Sequence, residues 1–362
     1  MLIEICEDIV IAAEKNKKSA ISALEKISFA YKYGKHIIYV KYPLLIRIIK
    51  IQNLSKAVRK LYSELKSKNT FLGSIYNAVN FKTKITYSVS SHREQNLIII
   101  NPDEHDSFEF YEETHLLVEN LIDSRFFNFC IEFYKRQKSI KCETLFYPLQ
   151  GGGDPIDKVY DLEVRIKQHF CIAITDSDKL YPNANIGQTA SKILNVDRKT
   201  SPFNCSIYIM NELREIENLI PFHIIKLNTN YKHADIIANN INFNFSYFDF
   251  KEGLKIAKMY NQDSFNYWKS NICLSNSQFI QNFDDIEDSR NCFDKIDFEN
   301  YWTKENIING FGKNLLECCL GSFSQNLKNV TTSDLTTEQL TEWMSIGKVL
   351  FEWSCSTSRS YV

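Results

Sequence analysis

The spacing of apolar and polar positions divides the chain into three stretches. Over residues 1–33 apolar side chains fall at Ile5, Ile9, Ala12 and Ala13, and again at Ile21, Leu24, Ile27 and Ala30, interrupted by Lys15–Ser19. These are helical spacings, so two helices or one broken helix are predicted. A second helical pattern has Pro43 near its first turn and continues through Leu44, Ile48, Ile51, Leu54, Val58, Leu61 and Leu65. From Lys82 to Ser90 the period changes to two: Ile85, Tyr87 and Val89 alternate with Lys84, Thr86 and Ser88. That alternation predicts a half-buried strand, with Leu97–Ile100 as its hairpin partner. The polar stretch Asn101–Ser107 closes an N-terminal helical and β-hairpin module, an α+β unit over residues 1–108.

Over residues 109–228 short apolar runs alternate with helix-length stretches. Leu116–Glu119, Glu143–Leu149, Phe170–Thr175 and Cys205–Met210 read as strands, with Ile122–Lys138 and Asp157–His169 as helices between them. Strand–helix–strand units of this kind predict a parallel sheet flanked by helices. Phe170–Thr175 is apolar until its last residue, as expected of a central strand covered on both faces. Residues 229–362 read as mostly helical, over Phe250–Tyr260, Ser264–Ile272, Lys304–Leu320 and Thr337–Trp353. Thr336 and Gln339 form a capping-box pair before the last of these, and Trp343 and Trp353 read as core residues. The fold class is therefore α/β.

Composition narrows this picture. With 362 residues and 44% hydrophobic content the chain builds packed cores and is not a disordered one. A formal net charge of -1 leaves no global basic field, so any contact with nucleic acid must come from local patches. Residues 1–70 carry 14 Lys/Arg against 6 Asp/Glu. The cations Arg47, Lys50, Arg59, Lys60 and Lys66 are either a solvated helix surface or a rail for a phosphate backbone. By contrast Phe283–Glu299 is acidic, relieved only by Arg290 and Lys295. The 10 cysteines include no CxxC pair and several lie inside apolar runs, which reads as reduced, packed thiols. No signal-like opening and no apolar run of ~18 residues is present, so a cytoplasmic protein without a membrane span is expected.

The candidate chemistry lies at the predicted strand ends. Glu119 ends one strand, Asp176 and Asp178 end another, and Glu215 and Glu217 follow a fourth. In an extended chain Asp176 and Asp178 project to the same side, close enough to share a hard cation. Crowded carboxylates need either Mg²⁺ or raised proton affinity. A DxD after an apolar run also occurs where glycosyltransferases hold a metal-bound nucleotide sugar. Gly151, Gly152 and Gly153 either make a sharp turn or present bare amides to a phosphate. No GxxxxGK[ST] occurs, and Gly310-Phe311-Gly312-Lys313-Asn314 lacks both its spacing and its final hydroxyl.

The order of these pieces resembles the Toprim domain, the metal-binding module of topoisomerases, bacterial primases and nucleases of the overcoming-lysogenisation-defect (OLD) type. The match is most like the nuclease and defence-associated branch. Its first motif, a Leu-Val-Glu-Gly followed by an acidic residue, corresponds to Leu117-Val118-Glu119-Asn120 with Asp123, and Asn120 departs from the usual glycine. Its DxD corresponds to Asp176-Ser177-Asp178, and its Glu-Asn to Glu217-Asn218 after Arg214. The resemblance implies a central Toprim-like, Rossmann-like sheet over 109–228 and a nuclease of DNA or RNA. It implies Glu119, Asp176, Asp178 and Glu217 as catalytic carboxylates holding one or two Mg²⁺ or Mn²⁺ ions. Asp123 is then a further ligand or a helix cap, and Glu215 a ligand or a supporting partner. Lys158 or Lys179 would neutralise charge on the phosphate beside Gly151–Gly153, while His169 and His223 receive no role. It also implies an effector of antiviral defence, with a separate ATPase subunit and a homo-oligomer as open options and no membrane partner. Nucleotidyl transfer or strand passage, and a non-catalytic interaction subunit, are the alternatives.

Overall fold

The computed structural model describes residues 1–153, 155–227, 244–273 and 280–360, except the side chains of 273, 280 and 281. The expected module boundary at 228/229 and the packing of Cys273 lie outside these described residues. The N-terminal part contains β1 (Leu2–Ile5), α1 (Glu7–Glu14), α2 (Lys18–Lys32), β2 (Ile37–Tyr39), α3 (Tyr42–Lys50), α4 (Lys56–Ser67), α5 (Asn69–Ala78), β3 (Lys82–Ile85), β4 (His92–Glu94) and β5 (Leu97–Ile100). They form a sheet of order β2-β1-β3-β5-β4, parallel except at the β4–β5 edge.

Two expectations fail here. The fully buried strand β1 was hidden because the Ile5–Ile9 spacing, helical in appearance, crosses its junction with α1. The expected hairpin is a parallel pair, since β3 runs alongside β5 and only β4 turns back. Strand β3 stops at Ile85 because the residues after it fold over Asp8, whose Oδ2 accepts from Thr86 Oγ1 (2.6 Å), the Tyr87 amide (2.6 Å) and Ser88 Oγ (3.0 Å).

The central part contains β6 (Thr114–Val118), α6 (Leu121–Gln137), β7 (Glu143–Thr144), β8 (Phe146–Gln150), α7 (Ile156–Ile166), β9 (Cys171–Thr175), α8 (Gln188–Thr200) and β10 (Cys205–Ile209). As the alternating pattern predicts, these give a parallel sheet, of order β10-β9-β6-β8. Strand β9 is buried along its whole length between two neighbours. One face packs α7 and α8 through Ile156, Tyr160, Val164 and Ile193 onto Leu117, Cys171, Ala173 and Cys205.

The other face is covered by α6, and α6 in turn by the helix Thr337–Ser354. Trp343 is fully buried there, edge-on to Phe126 (5.6 Å) and Phe133 (5.4 Å). Gly347 permits the close helix crossing, because a Cβ at that position would lie 2.4 Å from the Cys130 carbonyl oxygen. The expected capping box is present, with Gln339 N donating to Thr336 Oγ1 (3.2 Å) and Thr336 N to Gln339 Oε1 (3.1 Å). Buried apolar residues from Met1 to Cys355 belong to one contiguous cluster, which includes this face. The described cysteines are free, and Cys130, Cys171, Cys205, Cys319 and Cys355 are buried.

The helices expected over Phe250–Tyr260 and Lys304–Leu320 are only partly helical. Strands β11 (Gly253–Lys255) and β12 (Asn306–Asn309) pair antiparallel instead, and the second stretch becomes helical only from Leu315. Gly253, at φ +88, is required there: a Cβ would lie 2.2 Å from the Ile308 carbonyl oxygen. The strand expected over Glu143–Leu149 is divided, β7 pairing with β13 (Cys355–Ser356) while β8 joins the central sheet. Among the described residues no helix is long and apolar enough to cross a membrane.

Candidate metal centre

The chain leaves β6 for β8 on one side and returns across β6 to β9 on the other. A crevice opens at such a reversal, beyond the carboxyl ends of the two central strands. Glu119 directly follows β6 and Asp176 directly follows β9. The glycine triplet closes one wall: the Gly151 amide donates to the Val118 carbonyl (2.7 Å) and the Gly152 amide to that of Glu119 (3.0 Å). Gly151 is needed because a Cβ would lie 2.3 Å from Ile156 Cγ1, while Gly152 and Gly153 occupy positive φ. Their conformation is thus explained by the turn into α7.

The segment after β10 supplies the opposite wall. Its 3₁₀ turn, Ile216–Leu219, points the Ile216 amide at Asp176 Oδ1 (3.0 Å). Glu215 Oε1 accepts from the Phe250 amide (3.0 Å). Asn218 holds the turn in shape, accepting from the Glu215 amide (2.9 Å) and donating to the carbonyls of Phe245 (2.6 Å) and Phe248 (2.9 Å). Behind it, Gln339 Nε2 donates to the Asn218 carbonyl (2.8 Å) and Trp343 Nε1 to that of Leu219 (2.8 Å). A buried ion pair from Arg214 to Asp249 (2.8 Å) pins the approach to the turn. Breaking a pair of that kind costs about 3–5 kcal/mol.

The result is a triad in which carboxylate oxygens of Asp176, Glu215 and Glu217 all lie within 4.8 Å of one another. Lys251 Nζ stands 3.0 Å from Glu217 Oε2 and 3.7 Å from Glu215 Oε2. The Glu217 contact is an ion pair without hydrogen-bond geometry, so this buried oxygen has no hydrogen-bond partner. Glu119, Asp123, Asp176, Glu217, Lys251 and Lys313 line a cleft of about 210 Å³.

Electrostatics follow from this crowding. Burial, then the charges of Glu119 and Glu217, push Asp176 well above the usual carboxylate range. Part of the residue remains exposed, but its carboxyl group is enclosed. Burial and Glu217 push Glu215 up to about 7. Burial raises Glu217 despite Lys251, and burial and Asp178 raise Glu119. Burial alone would lower Lys251, yet Glu217, Glu215 and Asp176 outweigh it and hold the ammonium charged.

The sequence-derived residues therefore have different placements. Asp176 and Glu217 converge with Glu215, and Glu119 lines the same cleft. Asp178 does not project alongside Asp176. The chain turns at Asp178 (φ +54) because the amides of Ser177 and Asp178 both donate to the Arg214 carbonyl (2.9 Å each). Its charge faces Glu119 instead. Gly187 makes room for it, since a Cβ there would lie 2.5 Å from Asp178 Oδ2.

Asp123 caps α6, accepting from the Asn120 amide (2.8 Å), and also lines the cleft, where burial pushes it up to about 7. Lys179 reaches Asn211 (3.4 Å), and Lys158 is exposed on α7. His169 stacks on His115 (4.6 Å) before the start of β9, at the other end of the sheet, and His223 lies exposed on α9 (Phe222–Lys226). Lys251 carried no local sequence signal, since only the fold returns it to Glu217. Comparisons with known protein families, curated proteins and solved structures returned no match.

Proposed function

We propose that this chain is a Toprim-type, divalent-metal-dependent phosphodiester hydrolase acting on DNA or RNA. The observation that carries this reading is the convergence of Asp176, Glu215 and Glu217 beside Glu119 at the reversal point of a parallel sheet. The donor set fits Mg²⁺ or Mn²⁺: hard carboxylate oxygens, crowded enough to disfavour their own charged forms. Asp176, Glu215 and Glu217 would hold one ion with Glu119, and Asp178 on the far side of Glu119 would serve a second. When bound, such an ion stabilises charge on a scissile phosphate and lowers the proton affinity of a coordinated water.

The chain's own residues then have defined tasks. The Ile216 amide fixes the orientation of Asp176, and the Phe250 amide that of Glu215. Lys251 neutralises the carboxylates in the metal-free protein and stands ready to meet phosphate charge. The role in antiviral defence and the ATPase partner follow from the Toprim resemblance and belong to the same proposal. Incubation with supercoiled plasmid, single-stranded DNA and transfer RNA, each with Mg²⁺ or Mn²⁺, tests it. Cleavage that disappears in Asp176→Ala and Glu119→Ala proteins is expected, and metal-independent or absent cleavage contradicts it.

One observation favours a second reading. Lys251 already compensates Glu215 and Glu217, so the cluster also suits a metal-free ion-pair network in a non-catalytic subunit. Calorimetry that finds no metal binding selects that reading.

A further inference from the structure

Beside the carboxylate cleft lies a much larger one, of about 1050 Å³, built almost entirely by residues beyond 250. Its walls carry Lys255, Lys258, Arg290 and Lys295 against the single carboxylate of Glu299, in a chain whose net charge is only -1. Tyr260 adds an aromatic ring, and Asn261 and Asn300 add amides that both donate and accept.

Three links join this cleft to the carboxylates. Leu180, which lines it, lies two residues beyond Asp178, and its carbonyl accepts from Trp268 Nε1 (3.1 Å). Lys258 contacts Asp249 (3.3 Å), the same carboxylate that pairs with Arg214 ahead of Glu215. Lys255 and Lys258 also follow Lys251 along the chain through β11.

The local acids do not cancel this charge. Lys255 meets Glu252 (2.6 Å) and Lys295 meets Glu299 only at 3.7 Å, in pairs that remain partly open to solvent. Cations that track a backbone, with an aromatic ring and amides between them, are the combination that binds unpaired nucleotides. A cleft of this size takes a few nucleotides of flexible strand, whereas a duplex cannot bring its paired bases to Tyr260 and Asn261.

We propose that this cleft binds a single-stranded polynucleotide and leads it past Leu180 and Asp178 to the carboxylate cluster. This rests on the phosphodiester reading for what happens at the cluster, but the binding itself does not require cleavage.

The test is fluorescence anisotropy of the full chain with labelled oligo-dT and oligo-rU, and with a duplex of matched length, in EDTA across a salt series. The two single strands show whether deoxyribose or ribose is preferred. Wild-type protein is expected to bind at least one of them at least tenfold more tightly than the duplex. The double variant Lys255→Glu/Lys295→Glu should weaken that binding at least tenfold and reduce the salt slope by about 2, one for each lost phosphate contact. Asp176→Ala, with the cleft intact, should bind within threefold of wild type. Circular dichroism and melting confirm that the double variant is folded, and Lys295→Ala alone, at an exposed position, should give a smaller loss in the same direction.

Equal binding of duplex and single strand overturns the proposal, as does a folded double variant that binds like wild type. Single-strand binding lost in the double variant, with no cleavage by any form, upholds the cleft and rejects the hydrolase. Cleavage unaffected by the double variant does the reverse.

Discussion

Two aspartates stand just beyond the carboxyl ends of strands in the two parallel sheets, in opposite surroundings. Asp8 follows β1 and accepts from Thr86, Tyr87, Ser88 and the Ile9 amide. Burial would raise it, but these donors hold it below the usual carboxylate range. Asp176 follows β9 and accepts from the Ile216 amide, while burial, Glu119 and Glu217 drive it upward. A strand-end position is therefore not by itself a sign of chemistry. What separates the two is whether the protein satisfies the carboxylate from within or leaves it needing a cation.

The largest effect expected from this contrast is on catalysis. Asp176→Ala or Glu119→Ala should lower metal-dependent cleavage by at least about 100-fold, since loss of even the partners of metal ligands costs 10–100-fold. Asp8→Ala should lower stability by about 1–3 kcal/mol through its stranded donors, with cleavage per folded molecule unchanged. Equal losses of cleavage at both sites would erase the distinction.

Lys251 sharpens it next. In metal-free protein Lys251→Met leaves buried carboxylates without their cation and should cost about 3 kcal/mol in a denaturant melt. Mg²⁺ should restore most of that loss if the cluster accepts a metal. A loss that Mg²⁺ cannot restore would favour the purely structural ion-pair network.

The pH dependence of metal-free stability should be of similar or smaller size. In the fold Asp123 and Glu215 keep their protons up to about 7, whereas unfolded they release them near 3.8 and 4.5. Between those values the native state binds more protons, so stability falls as pH rises through the window. Asp8, with its affinity lowered, contributes stability already present in full by pH 5. Thermal melts should therefore drop by several degrees from pH 5 to pH 8 without metal, and saturating Mg²⁺ should remove most of the drop. A rise with pH in the metal-free protein would show that the cluster is satisfied as Asp8 is.

The smallest effect is steric. Gly187→Ala places a Cβ against Asp178 and should reduce cleavage by about tenfold, on the scale of a disturbed ligand support, while the melting temperature stays close to wild type. Unchanged cleavage in that variant would remove Asp178 from the account.

Local signals were legible in the sequence, and long-range ones were not. The apolar run at Cys171–Thr175, the helical face of Phe127, Cys130, Ile131 and Tyr134, and the Thr336–Gln339 cap each draw on neighbours a few residues apart, and each appears in the fold. Strands β11 and β12 depend on a partner about 50 residues away, so their apolar residues looked helical. Asp178 illustrates the same limit at the site: its turn is set by the Arg214 carbonyl, 36 residues on. Lys251 belongs to the cluster only because the Phe245–Phe250 stretch docks on Asn218. Glu215 and Glu217 were visible as acidic residues after a strand, but their closeness to Asp176 was not.

The central claim, that this cluster holds a divalent cation, is tested most directly by titration calorimetry of Mn²⁺ into the full chain at pH 8. The account predicts saturable binding of one or two ions to wild type and its loss in Asp176→Ala. No binding heat in the wild type, or the same isotherm in both proteins, would contradict it.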